Sequence, residues 1–373
     1  MQLQGGLMRV SKEILTLIPY KPGKPISEAQ REYGLEHVTK LASNENPLGV
    51  SPHVIESVQK HLEDIHRYPD PSCYDLSKKI SELWNVPKEK IAFGNGSNEL
   101  IDLLIRIFCE PQEAILTMDK AFVAYQVCAQ AGRVKSYFCD LNEDFDVDLD
   151  QMASMVESDP KIRLVFLPNP NNPTGRILPQ KKVKAFLSRL SSRPDLLIVF
   201  DEAYHEFVRH PEYQSAIHYL DQFPQVVVLR TFSKTYGLAG LRLGAMFASA
   251  EVIGFVHRVR NPFNVNSLVQ VAGIAALEDF QHIQKSQKIV WEGLDYFYEQ
   301  LNAMNVPYVE SQGNFVLVDC QRSALEVNEY CLRHGIILRP VANYGLPHHL
   351  RISVGLPEEN EKSMKVLAQA LGK

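Results

Sequence analysis

Ser233 and Lys234 are the side chains around which the chemistry of this chain can be arranged. They follow the apolar run 226–229, which is typical of a buried parallel strand, so they lie just past its carboxyl end. Open α/β sheets bind ligands at that edge. A lysine amine there can condense with an aldehyde cofactor, while Arg242 and nearby hydroxyl groups hold a phosphate. Taken alone, a serine–lysine pair is more often part of a solvated loop.

Asp201 ends a second apolar run, residues 196–200. A carboxylate at the end of an apolar strand is costly to bury unless a positive group pairs with it, and a protonated pyridine nitrogen is such a group. Tyr204 is close enough in sequence to reach the same ring. The alternative for a single aspartate is a cap on the following turn. Because a second strand ends near Lys234, the ligand site is favoured over that alternative.

Two loops add candidate ligand-binding groups. Residues 94–98 form a glycine-rich turn between a strand at 91–93 and a helix at 99–109, and such a turn offers backbone N–H groups to an anion. An N-capped helix after a glycine turn explains this segment equally well. The loop 168–175 contains three prolines, which make it rigid and hold its asparagines in fixed directions.

Strands and helices alternate through the middle of the chain, which predicts an α/β fold whose mostly parallel sheet is flanked by helices. A chain of 373 residues exceeds what one hydrophobic core usually covers. We expect an N-terminal arm with part of a small domain at 1–49 and a large cofactor-binding domain at 50–265. Linking helices and the rest of a smaller α+β domain follow at 266–373. Ser51 and Pro52 predict the start of a helix with one buried apolar face. The residues of that face are Val54, Ile55, Val58, Leu62 and Ile65.

Composition argues against several classes of partner. The net charge of -5 carries no basic footprint for nucleic acid, and no apolar run approaches the roughly 20 residues that cross a membrane. The first ten residues lack the apolar core of a signal peptide, and Met8 could be the start instead. The six cysteines have neither a C-x-x-C pair nor metal-ligand spacing, so we expect reduced thiols, no metal and a cytoplasmic location.

Four motifs occur in the order found in fold-type I pyridoxal-phosphate aminotransferases, and the chain resembles that family. They are Asn-Pro-Asn-Asn-Pro-Thr-Gly at 169–175, Asp-Glu-Ala-Tyr at 201–204, Thr-Phe-Ser-Lys at 231–234 and Leu-Arg-Leu-Gly at 241–244. Further segments make the chain most similar to the histidinol-phosphate aminotransferases. These segments are 42–49, 67–69, 94–97 and 350–355.

The resemblance implies a role for each matched residue at a bound pyridoxal phosphate. Lys234 is expected to bond the cofactor aldehyde and to shuttle the proton between the substrate α-carbon and cofactor C4′. Asp201 should keep the pyridine nitrogen protonated, while Asn172 and Tyr204 hydrogen-bond the phenolic oxygen. Phe122 should stack on the ring. The residues expected to hold the cofactor phosphate are Gly96, Ser97, Asn98, Thr231, Ser233 and Arg242.

Substrate and subunit contacts are implied in the same way. The residues expected to meet the substrate are Tyr20, Asn44, Arg339 and Arg351. Tyr68 is expected to reach the cofactor phosphate of the neighbouring subunit, which would make a homodimer the working unit. The chain departs from many relatives at two positions, because Phe122 replaces a tyrosine and Asn98 replaces a frequent acidic residue.

The implied reaction moves an amino group between L-histidinol phosphate and 2-oxoglutarate, giving imidazole-acetol phosphate and glutamate. The donor carries a phosphate and the acceptor carries two carboxylates, and the forked guanidinium of Arg351 can bind either anion. The alternatives are an aromatic amino-acid transaminase, a threonine-phosphate-type decarboxylase that also uses pyridoxal phosphate, and a non-catalytic regulator that binds the cofactor.

Overall fold

A seven-stranded sheet forms the centre of the computed structural model, in which residues 10–19 and 23–373 are described. Its strands are β2 (Ile91–Asn95), β3 (Ala114–Met118), β4 (Lys135–Cys139), β5 (Ile162–Pro168), β6 (Leu197–Asp201), β7 (Val226–Thr231) and β8 (Leu243–Phe247). The strand order is β2-β8-β7-β6-β5-β3-β4. Strand β8 is antiparallel to both of its neighbours, and the other pairs are parallel. The predicted α/β class with a mostly parallel sheet is confirmed.

Helices cover the sheet, so its central strands are shielded from water. Every residue of β3, β6, β7 and β8 is buried, which explains the near-continuous apolar runs that these strands show in the sequence. The helices are α1 (Lys12–Leu15), α2 (Ile26–Tyr33), α3 (Pro52–Lys60), α4 (Tyr74–Trp84), α5 (Ser97–Phe108), α6 (Ala124–Ala131), α7 (Leu149–Ser158), α8 (Gln180–Arg189), α9 (Ala250–Val259), α10 (Ser267–Glu278), α11 (Phe280–Ala303), α12 (Ala324–Arg333) and α13 (Pro357–Leu371).

Two smaller sheets are built from the two ends of the chain. Their strands are β1 (Thr39–Lys40), β9 (Tyr308–Val309), β10 (Phe315–Asp319), β11 (Ile336–Ile337), β12 (Arg339–Pro340) and β13 (His349–Ser353). Four of them form an antiparallel sheet in the order β12-β13-β10-β9, and β1 pairs in parallel with β11. A second hydrophobic core, which includes Phe297, Phe315 and Leu367, lies between these strands and the last helices. The first and last parts of the chain therefore share one region.

The register of the large sheet determines where the predicted site residues meet. Asp201, the last residue of β6, lies beside Pro168 on β5 and Leu229 on β7. Because these three strands are parallel, the residues that follow each of them emerge at the same edge of the sheet. The edge that the sequence predicts as a ligand site is thus formed by strand ends that are neighbours in space.

The helix that begins at Pro52 is less buried than predicted. The hydroxyl of Ser51 accepts a hydrogen bond from the backbone N–H of His53 at 3.1 Å, which confirms the predicted start. Val54 is buried as predicted. Predicted burial is wrong for three residues with exposed fractions of 48%, 47% and 61%, namely Ile55, Leu62 and Ile65. Helical spacing predicts an apolar face, but it does not say whether the surface that covers this face belongs to the same chain.

The predictions about membranes and cysteines can be compared with the described part of the chain. None of the helices in residues 10–19 and 23–373 combines the length and apolar character that crossing a bilayer needs. All six cysteines are free thiols. The possible start at Met8 and the predicted substrate contact of Tyr20 lie outside the described residues.

Candidate active site

A cavity of about 280 Å³ lies at the carboxyl edge of the large sheet. It is lined by residues from the first turn of α5, from the ends of β5, β6 and β7, and from the two arginine-bearing strands β12 and β13. The predicted site residues that line it are Asn44, Ser97, Asn98, Phe122, Asn172, Asp201, Tyr204, Thr231, Ser233, Lys234, Arg242, Arg339 and Arg351. The structure therefore places most of the predicted set around a single cavity.

The amine of Lys234 lies between the N-terminal loop and Tyr204. Its Nζ donates a hydrogen bond to the carbonyl oxygen of Ser43 at 3.1 Å and lies 5.8 Å from the centre of the Tyr204 ring. Desolvation, and then the positive charge of Arg351, lowers the pKa of Lys234 to about 8. Roughly a tenth of this amine is therefore uncharged at pH 7, far more than for an ordinary lysine, and only the uncharged amine can act as a nucleophile or accept a proton.

Asp201 is buried at the end of β6, with an exposed fraction of 6%. Its Oδ2 accepts a hydrogen bond from the Tyr125 hydroxyl at 2.7 Å, and its Oδ1 accepts one from the backbone N–H of Ala203 at 3.2 Å. Burial raises the pKa of Asp201 to about 6, although these hydrogen bonds oppose the shift. A carboxylate that is ionised but poorly solvated interacts strongly with a cationic group in the same cavity.

Asn44 connects the N-terminal loop to Tyr204 and β13. Its Nδ2 donates a hydrogen bond to the Tyr204 hydroxyl at 2.9 Å, and its Oδ1 accepts one from the Ser353 hydroxyl at 2.7 Å. The backbone φ of Asn44 is 53°, a left-handed conformation that asparagine adopts more readily than most residues. Burial raises the pKa of Tyr204 to about 12, so the tyrosine hydroxyl remains a hydrogen-bond donor at neutral pH.

Arg339 and Arg351 lie beside each other in the paired strands β12 and β13. Arg351 donates hydrogen bonds from Nη1 to Asn172 Oδ1 at 2.6 Å and from Nη2 to the carbonyl oxygen of Ala42 at 2.7 Å. Both arginines line the cavity, where they supply permanent positive charge. This end of the cavity can therefore recognise an anionic substrate.

A second set of anion-binding groups lies near the start of α5. Gly96, just before this helix, has a φ of 77°, and a Cβ built on it would lie 2.3 Å from Arg242 Nη2. The guanidinium of Arg242 is thus in close contact with the backbone of the turn. The Thr231 and Ser233 hydroxyl groups lie 3.0 Å apart and line the same cavity. Helix N–H groups, hydroxyl groups and a guanidinium together are a suitable site for a phosphate.

Replacing Gly96 with alanine should disrupt this phosphate site. The added methyl group would displace the Arg242 guanidinium, and the positive φ would add roughly 1–3 kcal/mol of backbone strain. We expect pyridoxal phosphate to bind at least about tenfold more weakly, as measured by fluorescence titration of the apoprotein. The matched control is Gly254→Ala, because a Cβ on Gly254 meets no atom within 4 Å. Equal cofactor affinities for the two variants would contradict this account of the site.

The whole chain is similar to known proteins of one family. The sequence pattern of the family described as aminotransferase class I and II matches residues 36–371. This chain belongs to the class I and II aminotransferases. The histidinol-phosphate aminotransferase of Bdellovibrio bacteriovorus is 53% identical to this aminotransferase over 366 residues, which cover 98% of each chain. That of Anaeromyxobacter sp. is 44% identical, with 97% of this chain and 99% of the relative covered.

Solved structures agree with this membership. Histidinol-phosphate aminotransferase from Sinorhizobium meliloti, in complex with pyridoxal-5'-phosphate, superposes with a TM-score of 0.89 at 25% identity and 98% coverage of each chain. Aspartate aminotransferase from Thermus thermophilus with maleate superposes at 0.85, with 98% of this chain and 100% of that chain covered, and at 18% identity it shows the fold alone. The predicted fold-type I architecture and the resemblance to histidinol-phosphate aminotransferases are confirmed.

Tyr68 lies away from the cavity of the aminotransferase chain. Its exposed fraction is 83%, and its ring stacks on Phe263 with the two centres 4.6 Å apart. It does not line the cavity of its own chain. The contact with a neighbouring subunit that the resemblance implies therefore remains a prediction.

Several residues of the aminotransferase contact predicted site residues although the sequence analysis did not select them, and Ser43, Tyr125 and Ser353 are among them. Tyr125 donates its hydrogen bond to Asp201, and it lies three residues after Phe122, close enough in sequence for the two rings to meet, although Phe122 precedes the helix that carries Tyr125. Ser353 lies two residues after Arg351 on the same strand, so both side chains are on one face. These spacings were the available sequence signals.

A buried ion pair fixes the strand ends behind the cavity of the aminotransferase. Arg230 Nη2 lies 3.1 Å from Glu202 Oε2, and both side chains are almost completely buried. The Ser215 hydroxyl donates to the same carboxylate oxygen at 2.7 Å, and the Arg230 guanidinium lies 4.7 Å from the centre of the Trp84 ring. Because Glu202 follows Asp201 directly and Arg230 lies on β7, the pair ties the two strands that carry the main site residues.

Proposed function

We propose that this aminotransferase uses pyridoxal phosphate to transfer an amino group between L-histidinol phosphate and 2-oxoglutarate, giving imidazole-acetol phosphate and glutamate in histidine biosynthesis. The observation that carries the proposal is one cavity lined by the Lys234 amine, the Asp201 carboxylate and the guanidinium groups of Arg339 and Arg351. The names of the relatives that are 53% and 44% identical support this choice of substrate.

The residues around the cavity fit the cofactor on chemical grounds. Asp201 is a buried carboxylate whose two oxygens already accept one hydrogen bond each, and it suits a cationic ring nitrogen as its remaining partner. The turn at Gly96 and the guanidinium of Arg242 provide the phosphate site. Phe122 offers a flat ring on the cavity wall. Among the described residues, no cluster of histidine, cysteine and acidic side chains is arranged to hold a metal ion.

When bound, the cofactor supplies an electron-accepting ring that stabilises negative charge at the substrate α-carbon. Lys234 would hold the cofactor before the substrate arrives, and its Nζ would then remove the proton from the α-carbon. Its pKa of about 8 places this base near the working pH. Asp201 holds the proton on the ring nitrogen. Tyr204 and Asn172 would donate hydrogen bonds to the phenolic oxygen of the cofactor, and the hydrogen bond from Asn44 orients the Tyr204 hydroxyl.

The two arginines account for the use of two different substrates. Histidinol phosphate presents a phosphate, and 2-oxoglutarate presents carboxylates, but a forked guanidinium bonds either anion through two N–H groups. The hydrogen bonds from Arg351 to Asn172 and to the carbonyl oxygen of Ala42 hold this guanidinium at the cavity wall. One site can therefore serve both half-reactions.

We also propose a homodimer in which Tyr68 reaches the cofactor phosphate of the partner subunit. Large apolar side chains on a single stretch of the chain are exposed, as a subunit interface would require. They are Ile55, Leu62, Ile65 and Tyr68, with Phe263 stacked on the last of them. A second copy of this chain would cover the apolar face that the sequence predicted to be buried.

The proposal also includes the domain boundaries of the chain and its cytoplasmic location. Residues 1–49 and 266–373 would form the arm, the linking helices and the small domain, and residues 50–265 would form the large cofactor-binding domain. The parallel pair of β1 and β11 supports this division, because it joins the two ends of the chain. Six free cysteines are consistent with the reducing cytoplasm.

Amino-donor specificity tests the proposed reaction. L-histidinol phosphate, L-phenylalanine and threonine phosphate are each supplied with 2-oxoglutarate, and glutamate and carbon dioxide are measured. We expect kcat/KM for histidinol phosphate to exceed that for phenylalanine by at least about 100-fold, because the phosphate has more oxygens and more negative charge for the two arginines to bind than the carboxylate of phenylalanine has. A preference for phenylalanine would indicate an aromatic transaminase, and carbon dioxide release would indicate a decarboxylase. Either result would overturn the proposal.

A further inference from the structure

We infer that Tyr125 is a positioning residue for the cofactor ring, because its hydroxyl fixes the Asp201 carboxylate that faces the ring nitrogen. The inference rests on the proposed function, since it requires a pyridine ring in the cavity. It assigns a role to a residue that no motif of the sequence points to.

Packing of the aromatic ring does not explain why residue 125 carries a hydroxyl group. The side chain is completely buried, and its ring stacks on Phe166 with the centres 4.8 Å apart and the planes at 11°. A phenylalanine would fill the same space and make the same ring contact. Burying a hydroxyl costs free energy unless it is hydrogen-bonded, so the bond to Asp201 Oδ2 at 2.7 Å is what compensates for its burial.

The hydrogen bonds to Asp201 leave the carboxylate in a defined orientation. Tyr125 donates to Oδ2, and the backbone N–H of Ala203 donates to Oδ1, so each oxygen is held by a different element of the fold. An ionised carboxylate has about four acceptor sites, so sites remain for a third donor. Because Asp201 lines the cavity, that donor is expected to be the protonated ring nitrogen.

The same hydroxyl affects the charge of the carboxylate. Burial raises the pKa of Asp201 to about 6, and the hydrogen bond from Tyr125 is the largest influence in the opposite direction. Burial also raises the pKa of Tyr125 well above its ordinary value, so the phenol stays protonated and continues to donate. The other titratable groups that face this pair are Glu202, Tyr204, Lys234 and Tyr344. Without the hydroxyl, a larger fraction of Asp201 would be protonated and unable to hold a ring cation.

Tyr125 also supports the residue predicted to stack on the cofactor ring. The rings of Phe122 and Tyr125 are 5.9 Å apart and meet edge to face at 89°. One side chain thus contacts both the carboxylate at the ring nitrogen and the aromatic wall of the cavity. Its position links two of the groups that would determine how the ring lies.

The test compares two cofactors on one variant. Apoprotein carrying Tyr125→Phe is titrated with pyridoxal phosphate and with its carbocyclic analogue, in which a C–H group replaces the ring nitrogen. We expect the variant to bind pyridoxal phosphate about tenfold more weakly than the parent protein does, because a hydrogen bond to a charged group is lost. The affinity for the analogue should change by less than about twofold, since the analogue has no proton for Asp201 to hold. Both constants come from one preparation, so a partial loss of folded protein cancels in their ratio.

Tyr219→Phe is the matched control, because it removes the hydroxyl of another buried tyrosine, which donates to the Gln214 side chain at 3.0 Å outside the cavity. This control should leave the ratio of the two constants unchanged. An equal loss of affinity for both cofactors in Tyr125→Phe would show a role in packing alone and would overturn the inference, as would unchanged affinities for both. Failure of the parent protein to bind pyridoxal phosphate is a separate result that would remove the proposed function itself.

Discussion

Replacing Lys234 with alanine is expected to lower the rate of amino transfer by at least about 10⁴-fold, because one residue supplies both the covalent attachment of the cofactor and the base that moves the α-proton. The measurement is kcat/KM for histidinol phosphate with saturating 2-oxoglutarate. No other lysine lines the cavity described at the carboxyl edge of the large sheet, so no second amine is placed to take over either task.

The control for this loss is a lysine far from the chemistry. Lys288 on α11 has a side chain that is 72% exposed, and its amine lies 3.6 Å from Glu292 in a surface pair of little energetic weight. Lys288→Ala should therefore retain the full rate. Retention of more than about one per cent of the activity by Lys234→Ala would contradict the assignment, because general base catalysis alone usually contributes about 10²-fold or more.

The second large effect is expected for Asp201→Asn. The variant keeps the shape of the side chain but removes the negative charge that holds the proton on the ring nitrogen. Because the cofactor then accepts electrons less readily, we expect kcat to fall on the order of 10³-fold, as found for other preorganised electrostatic groups in active sites. Steady-state kinetics of the same complete reaction, with histidinol phosphate and 2-oxoglutarate, measures this loss.

The control for the loss of one negative charge is the same substitution at a surface aspartate. Asp221 forms an ion pair with Lys90 at 2.5 Å, and its side chain is 91% exposed. Asp221→Asn changes the net charge by the same amount as Asp201→Asn, but it should leave kcat unchanged. A decrease of less than about tenfold for Asp201→Asn would mean that the ring nitrogen does not depend on this carboxylate, since one lost charge interaction of this kind usually costs more.

The sequence predicts the location of the site well because of one property of parallel sheets. Apolar runs identify the strands β6 and β7, and the residues after parallel strands emerge at one edge. Asp201 and Lys234 are therefore predicted to be neighbours from local information alone. The turn before Ser97 is predicted in the same way, because glycine-rich segments at a helix start are visible in sequence.

The sequence does not predict which side chains from distant segments form hydrogen bonds with each other. Asn44 is bonded to Tyr204 and to Ser353, a residue that lies 309 positions away, and no local pattern specifies these hydrogen bonds. The hydrogen bond between Tyr125 and Asp201 also joins residues that are far apart in sequence, and no local pattern predicts it. Such pairings depend on how β13 and α6 are placed by the whole fold, so they are known only when the coordinates are known.

Some elements were missed or misjudged for reasons of local chemistry. Strand β8 contains a glycine and begins within the Leu-Arg-Leu-Gly motif, so its sequence does not show strand periodicity clearly. The continuous apolar stretch at 336–338 resembles a single strand in the sequence, but the structure has two short strands here, β11 and β12, which belong to different sheets. The exposed Ile55 and Ile65 show that an amphipathic pattern identifies an apolar face without identifying its partner.

The most direct test of the central claim is chemical trapping at Lys234. The holoenzyme is reduced with borohydride and digested, and the peptides are sequenced by mass spectrometry to locate the pyridoxyl group. This account predicts a single modified peptide that carries the group on Lys234, and no such peptide from Lys234→Ala. Modification of a different lysine in the parent protein, or the absence of any modified peptide, would contradict it.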